Sequence, residues 1–207
     1  MECGSLLPLR WQAIALQEAL MREITLHLLD LAENSVSAGA RTVQIIVCED
    51  LKADRLTASI EDDGRGMDLE TVKKVTDPFY TSRTTRKVGL GIPLFKEAAE
   101  ECNGGLTVSS KLGEGTRVEV SFRYSHIDRM PLGNLSTTFL ELLVCHPEVH
   151  WKFQYTARKN GAEETFEFDD QPVKETLEGV PLTHPEVLSF VRGMFEEGIA
   201  ETKKVLN

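Results

Sequence analysis

The sequence is poor in the features that mark secreted and membrane-spanning proteins. It has only four cysteines and no CxxC pair, so neither a disulfide framework nor a zinc knuckle is indicated. No stretch approaches the roughly 18 apolar residues of a membrane span. Glu2 and the short SLLPL run after it lack the layout of a signal peptide. We therefore expect a globular protein of the cytoplasm that is not bound to a membrane.

Basic charge is also scarce. The formal net charge is -10, and residues 124–207 hold 8 Lys and Arg against 14 Asp and Glu, which gives that region -6. Proteins that bind nucleic acid through its phosphates need a basic surface to displace counterions. The one short basic stretch of this chain lies near residue 85. We therefore expect no nucleic-acid partner.

The remaining composition allows one substantial core. Of the 207 residues, 41% are hydrophobic. Residues 1–20 are apolar and without a motif, and we expect them to be an N-terminal extension, with Met21 as a plausible natural start. Residues 21–123 alternate between helical and strand periods, and residues 124–207 form a third section. These boundaries are the predicted domain organisation.

Periodicity predicts an α/β domain over residues 21–123. Helices are expected at 27–38, after Asp68 as N-cap, and from about Pro93 to residue 102. Strands are expected at TVQIIVC (42–48), LTASIED (56–62), GLTVSSK (105–111) and TRVEVSF (116–122). Short turns join neighbouring strands, so the sheet should be mixed but largely antiparallel, in a two-layer sandwich with helices on one face.

Residues 124–207 predict a small α/β appendage of unknown role. NLSTTFLELLV (134–144) has the pattern of an amphipathic helix, and Asn160-Gly161 between two strand-like runs is a strong hairpin signal. A last helix is expected from Pro185, with Leu188, Val191 and Phe195 at helical spacing. This apolar stripe favours packing over a partner-binding face.

Polar residues interrupt the apolar helix LLDLAENSVSAGA (28–40). Asp30 and Asn34 stand at i and i+4 and so project from one face, with His27 one turn before and Ser37 one turn after. Alone, this pattern is typical of a solvated stripe on a surface helix. Its neighbours in the sequence favour a functional face instead.

Two further stretches have the composition that nucleotide sites use. IEDDGRGM (60–67) runs from a strand into an acid pair and two glycines, where a carboxylate can accept from an exocyclic amine. TSRTTRKVGLGIPLF (81–95) leads a basic, hydroxyl-rich loop into a helix start, where free amides and cations can hold phosphates. Each motif is a weak signal by itself.

The order and spacing of these stretches resemble the GHKL family of DNA gyrase B, heat-shock chaperone ATPases, histidine kinases and MutL. The helix resembles the family's N box in its MutL form, and DDGRGM resembles its first glycine box. DPFYTSRTTRKVGLGIPL resembles the F box and lid running into the second glycine box, and GEGT (113–116) ends the match. The resemblance covers about residues 21–123. It implies the Bergerat ATP-binding fold, with ATP and magnesium as cofactors.

The resemblance also implies a role for each matching residue. Asn34 would help to coordinate magnesium, Asp62 would accept from the adenine amine with support from Thr116, and Asp30 would occupy the place of the general base. The implied nucleotide-binding residues are Asn34, Asp62, Gly64, Gly66, Arg86, Lys87, Gly89, Gly91 and Thr116.

Asp30 departs from the family pattern, in which hydrolases and serine kinases have glutamate at this position and many histidine kinases have an amide. Aspartate keeps the chemical type but is one methylene shorter. It therefore favours hydrolysis of ATP, or transfer of its γ-phosphate to a partner protein. A nucleotide-gated binding module with little turnover is the alternative, and the short lid, which resembles the kinase branch, does not decide between them.

Two histidine-containing stretches have alternative interpretations. SHIDRMPL (125–132) resembles the phospho-acceptor box of histidine kinases, but it follows the ATP-binding section instead of preceding it, and the acid next to His126 is missing. A connector leaving the sheet is the favoured interpretation, and a rearranged phospho-acceptor at His126 is the minor one. Cys145, His146 and His150 lack the second cluster that a metal site needs.

Overall fold

A computed structural model describes residues 23–76, 91–177 and 179–207. The expectation for residues 1–20, and three of the implied phosphate-site residues (Arg86, Lys87 and Gly89), lie outside the described residues. Within the described ranges, no helix combines the length and the apolar character needed to cross a membrane.

The first part of the chain forms the elements that its periodicity predicts. The helices are α1 (Ile24–Ser37), α2 (Leu69–Val75) and α3 (Gly91–Glu101), and the strands are β1 (Thr42–Asp50), β2 (Arg55–Asp62), β3 (Gly105–Lys111) and β4 (Gly115–Arg123). Asp68 caps α2 as expected, because its side chain accepts from the amide of Thr71. Helix α3 begins two residues before Pro93.

The last part of the chain adds two strands and three helices. These are α4 (Leu135–Cys145), β5 (His150–Lys159), β6 (Ala162–Asp169), α5 (Asp170–Thr176) and α6 (Pro185–Lys203), followed by a 3-10 turn at Lys204–Leu206. Asn134 caps α4. The hairpin at Asn160-Gly161 is confirmed, since both residues have positive φ, as the primed two-residue turns require. Helix α5 was not predicted.

All six described strands form one sheet, in the order β3-β4-β2-β1-β5-β6. Four of the five pairings are antiparallel, and β1 with β5 is parallel, with Val43 opposite Trp151. The expectation of a mixed, largely antiparallel sheet is confirmed.

The core lies between one face of this sheet and the helices. Burial alternates along β1, where Val43, Ile45 and Val47 are buried and their neighbours are partly exposed. Ile24 and Leu28 of α1 join the same buried cluster. Such alternation is what a sheet with one covered face requires, so the predicted two-layer arrangement is confirmed.

Residues 124–207 form an α/β unit, as expected, and this unit continues the same sheet. The parallel pairing of β5 with β1 runs over nine residue pairs, from Thr42 with His150 to Asp50 with Arg158. The buried cluster likewise extends from α1 to α6. A domain boundary at residue 123 stays a prediction, and the described sheet crosses it.

Candidate functional site

Asp30 lies between Asn34 on α1 and Gly91 at the start of α3. The Asn34 side chain donates through Nδ2 to Oδ2 of Asp30 at 3.4 Å. A Cβ at position 91 would overlap the Asp30 carboxylate, so a side chain there would displace that carboxylate. The carboxylate therefore lies directly against the first residue of α3, where a helix offers free amides and the positive end of its dipole.

The surroundings of Asp30 make its ionisation more difficult. Desolvation by burial raises the pKa of Asp30; the hydrogen bond from Asn34 opposes this rise, and the nearby charge of Glu33 adds to it. A carboxyl group with a raised pKa is a stronger base once it has lost its proton.

The predicted polar stripe on α1 is divided between core and surface. His27 is buried and stacks on Phe95 of α3, with ring centroids 4.4 Å apart and planes 3° from parallel. Ser37 is exposed at the other end. A solvated stripe does not bury a histidine, so this face of α1 is partly an interface with α3.

Asp62 is held at the end of β2 by two donors. Its side chain is 8% exposed, and its Oδ2 accepts from Oγ of Ser35 at 2.7 Å. Its Oδ1 accepts from the amide of Gly64 at 2.9 Å. The sequence did not single out Ser35, because Ser35 lies on the buried side of α1. A hydroxyl in an otherwise apolar helix stripe is the signal that could have found it.

The glycines after Asp62 are explained first by the packing of the chain itself. A Cβ on Gly64 would come within 3.1 Å of the Cβ of Ala38. Gly66 has a φ of +65° and lies against the carbonyl of Lys111, so a side chain there would overlap backbone. Their predicted contact with a ligand stays a prediction.

Asp63 fixes this glycine turn to the start of β1. Burial alone would raise the pKa of Asp63, but main-chain amides hold it below its usual range. These amides belong to Thr42 and Arg41, which donate to Oδ1 at 2.9 and 2.6 Å. Asp63 is therefore a structural carboxylate beside Asp62.

Thr116 lies opposite Asp62 in the register of β2 and β4. Its hydroxyl is 2.8 Å from Oγ of Ser110, which also accepts from the amide of Met67 at 2.8 Å and donates to the carbonyl of Gly115 at the same distance. Ser110 thus joins the β3–β4 turn to the segment after the glycines. Sequence reasoning missed Ser110, since the strand pattern alone assigns it a place on the sheet.

His126 lies far from these residues. Strand β4 runs from Gly115 to Arg123, and its two ends are about 25 Å apart at the usual rise per strand residue, so His126 follows the end opposite to Thr116. It lies in an irregular segment, where Nδ1 accepts from the amide of Asp128 at 3.3 Å. The carbonyls of Pro131 and Leu132 in the same segment accept from the first amides of α1. The segment has the form of the favoured connector.

The histidines of the last section take separate partners. His146 Nε2 is 2.8 Å from a carboxylate oxygen of Glu33 on α1. His150 instead joins Asp169 and Asp170, whose ligand atoms lie within 4.8 Å of one another. Asp170 is fully buried, but Lys174 lies 2.7 Å from its carboxylate and already neutralises it. This group has the composition of an internal ion pair with a helix cap.

The sequence matches the family described as histidine kinase-, DNA gyrase B-, and HSP90-like ATPase over residues 18–126. Among curated proteins, the sensor histidine kinase YxdK of Bacillus subtilis is 37% identical over 73 residues, which are 33% of this chain and 22% of YxdK. The sensor histidine kinase YvrG of the same organism is 30% identical over 113 residues, which are 53% of this chain and 19% of YvrG. The chain thus spans less than a quarter of each relative.

Among solved structures, the MutL ATPase domain of Aquifex aeolicus, complexed with ADP, matches with a TM-score of 0.44 and 19% identity. The match covers 76% of this chain and 68% of that chain.

Proposed function

This chain belongs to the histidine kinase-, DNA gyrase B- and HSP90-like ATPase family, and we propose that it binds magnesium-ATP beside α1 and hydrolyses it or transfers its γ-phosphate to a partner protein. The observation that carries this proposal is the carboxylate of Asp30, which is hydrogen-bonded to Asn34 and lies against Gly91 at the start of α3. A base, an oxygen ligand and a helix start meet there.

The donor set fits a magnesium-bound nucleotide. Magnesium prefers oxygen ligands and keeps several waters. Asn34 is exposed and donates to Asp30 through Nδ2, so its carbonyl Oδ1 is the atom that remains for a cation. A magnesium ion held there would neutralise phosphate charge.

Asp30 is the group we assign to accept a proton. Its Oδ2 receives the hydrogen bond from Asn34, and no described residue donates to Oδ1. We assign Oδ1 to take the proton from a water molecule or from a hydroxyl of the partner protein. The pKa of Asp30 is raised and so lies closer to neutral pH. General bases are most effective when their pKa is near the pH at which they work.

Asp62 is the group we assign to recognise adenine. Each of its oxygens already accepts one hydrogen bond, from Ser35 or Gly64. A carboxylate oxygen has a second lone pair, so the oriented carboxylate can also accept from the adenine amine. Thr116, opposite Asp62 on β4, would support that contact.

Incubation of the purified chain with γ-labelled ATP tests the assignment of Asp30. We expect labelled free phosphate or a labelled partner protein, and we expect Asp30→Asn to lower the rate by about 10²–10⁴-fold while ATP still binds. Glu33→Gln is the matched control, because it removes a charge one turn away. Equal turnover in Asp30→Asn and the native chain would show that Asp30 is not the base.

Substitution of Asp62 tests adenine recognition separately. Asp62→Asn replaces an acceptor with a group that can present a donor, so ATP binding should be lost while the fold is kept. Fluorescence titration with ATP measures the loss, and circular dichroism checks the fold. An unchanged ATP affinity would refute the assignment of Asp62.

A nucleotide-gated binding module is the second candidate, and one contact favours it. The pair between Glu33 and His146 joins α1 to the end of α4, so a change in α1 on ATP binding would reach residues 124–207 directly. Tight ATP binding without any transfer or release of label would select this candidate.

A further inference from the structure

Strand β6 lies at one edge of the described sheet, next to β5. It pairs with β5 over eight residue pairs, from Lys159 with Ala162 to Lys152 with Asp169. Across residues 23–76, 91–177 and 179–207, no strand pairs with its other side. An edge of this kind presents main-chain donors and acceptors to a second strand.

The hairpin turn determines which groups face outward. With a two-residue turn, Lys159 and Ala162 are a hydrogen-bonded pair, and such pairs alternate along an antiparallel ladder. The amides and carbonyls of Glu163, Thr165 and Glu167 therefore point away from β5. The side-chain hydrogen bond of 3.1 Å between Thr156 and Thr165 agrees with the closer spacing of a non-hydrogen-bonded pair.

A groove of about 570 Å³ runs beside this edge. Phe166 of β6 lies in it against Gly198 of α6, where a Cβ would overlap the aromatic ring. Phe166 is half-buried and gives the groove an apolar floor. The lining residues are Glu164, Thr165, Phe166, Gly198, Glu201, Thr202, Lys204 and Val205.

The charge of the edge is of one sign. Half of the eight residues of β6 are acidic, and none is basic. Glu163 is paired with Arg158 on β5, and Lys204 is paired with Glu201. Within the described part of the chain, Glu164 and Glu167 have no ion pair, so their charges are available to a ligand.

We propose that β6 and this groove bind an extended, cationic segment of a partner protein by strand addition. The segment would pair with the main chain of Glu163, Thr165 and Glu167, and its Lys or Arg side chains would meet Glu167 on the face of β6 that points away from Phe166. An apolar residue of the segment would lie over Phe166. Alternate side chains then give specificity, as in other cases of strand addition.

The same charges argue against a second copy of this chain as the occupant. Antiparallel self-pairing centred on Thr165 would set Glu163 opposite Glu167, and like charges directly opposite are destabilising. Acidic residues on an edge also protect it from aggregation. The acidic side chains of β6 therefore disfavour pairing with β6 of a second copy and favour pairing with a basic strand. This inference does not depend on nucleotide binding.

Titration of the full chain with blocked ten-residue peptides tests the proposal. A labelled peptide of alternating lysine and valine should bind, with an affinity that falls as salt rises, and its glutamate–valine counterpart should not. Thr165→Pro removes an amide that faces outward and spares the pairing with β5, so it should weaken binding at least tenfold. Glu167→Lys should also weaken binding, whereas Glu141→Lys at an exposed position of α4 should not.

Hydrogen exchange identifies the binding mode. The cationic peptide should slow exchange at the amides of Glu163, Thr165 and Glu167, and far-UV circular dichroism should show that both edge variants keep the fold. The proposal is overturned if the cationic peptide does not bind, or if both peptides bind equally. Undiminished binding to Thr165→Pro, without protection of the three amides, would show charge attraction alone and would also overturn it.

Discussion

The two halves of this sheet bury different kinds of side chain. Beside β2, α1 buries a serine and a histidine, and Asp62 is buried at the end of that strand. Beside β5 and β6, the buried layer is aromatic, with Phe139, Phe153, Phe168 and Phe195 in mutual contact.

This difference separates residues that we expect to serve ligand binding from residues that we expect to serve stability. A buried polar group is tolerated only when it is hydrogen-bonded, and Ser35 and Asp62 meet that condition through each other. The phenylalanine rings need no such matching, and the stabilisation of each ring follows from its buried area and packing. We therefore expect substitutions in the aromatic half to affect stability first, and substitutions near α1 to affect ligand binding first.

The largest effect is expected at Phe195. This side chain is fully buried, and its ring centroid lies 4.8 Å from Phe139 and 4.7 Å from Phe168. Phe195→Ala should lower the free energy of unfolding by about 3–5 kcal/mol, as measured by urea denaturation. Phe190→Ala on the same helix is the control, since Phe190 is 65% exposed and should change stability by less than about 0.5 kcal/mol. Similar losses in both variants would contradict the aromatic packing account.

A mixed effect is expected at Ser35. Ser35→Ala leaves the buried Asp62 carboxylate without one donor, which should cost about 1–3 kcal/mol of stability. ATP affinity should fall by about tenfold, because Asp62 loses its fixed orientation and about 1.4 kcal/mol corresponds to that factor. Calorimetric titration measures the affinity. Ser35→Thr, which keeps the hydroxyl, should restore most of it, and Ser37→Ala at the exposed end of α1 should change neither quantity.

A smaller and opposite effect on stability is expected at Asp30. Because the folded protein raises the pKa of Asp30, ionised Asp30 opposes folding above that pKa, and this penalty disappears when the pH falls below the ordinary carboxyl range. Asp30→Asn should therefore raise Tm at pH 7 by about 1–2 °C. Thermal scans at pH 7 and pH 3 compare the two chains, and a gain that persists at pH 3 would have another origin.

The smallest effect is expected at Glu33. Its charge contributes to the raised pKa of Asp30, and Glu33→Gln removes the charge but keeps an acceptor for His146. If Asp30 acts as the base, the acid limb of the rate profile should move to lower pH, because one of the causes that raise the pKa of Asp30 is removed. Glu148→Gln is the control, because Glu148 lies 3.7 Å from the other ring nitrogen of His146. A shift of the acid limb toward higher pH in Glu33→Gln would contradict this prediction.

Local signals were sufficient for most of the fold. The alternation in β1 and β2, the caps Asp68 and Asn134, and the Asn160-Gly161 turn all act within a few residues. The pairing of β5 with β1 has no such signal, since it depends on two apolar strands meeting after the intervening chain has folded. Helix α5 escaped prediction because its sequence DQPVKET, with a proline in the first turn, resembles a loop.

The candidate site was predictable where side chains share one face of one element. Asp30 and Asn34 are one turn apart on α1, and the structure joins them. Ser35 and Ser110 were missed because each acts on a residue far along the chain, Asp62 and Met67. Their hydroxyls are ordinary in sequence and acquire a role only through tertiary contact.

The parallel pairing of β1 and β5 also has a consequence for synthesis of the chain. Val43 leaves the ribosome more than a hundred residues before its neighbour Trp151. Until then β1 is an apolar edge strand, and long-range parallel pairing is slow to form. A nascent chain that stalls near residue 123 should therefore be prone to aggregation. Synthesis of residues 124–207 should remove this tendency, because β5 then pairs with the open edge of β1.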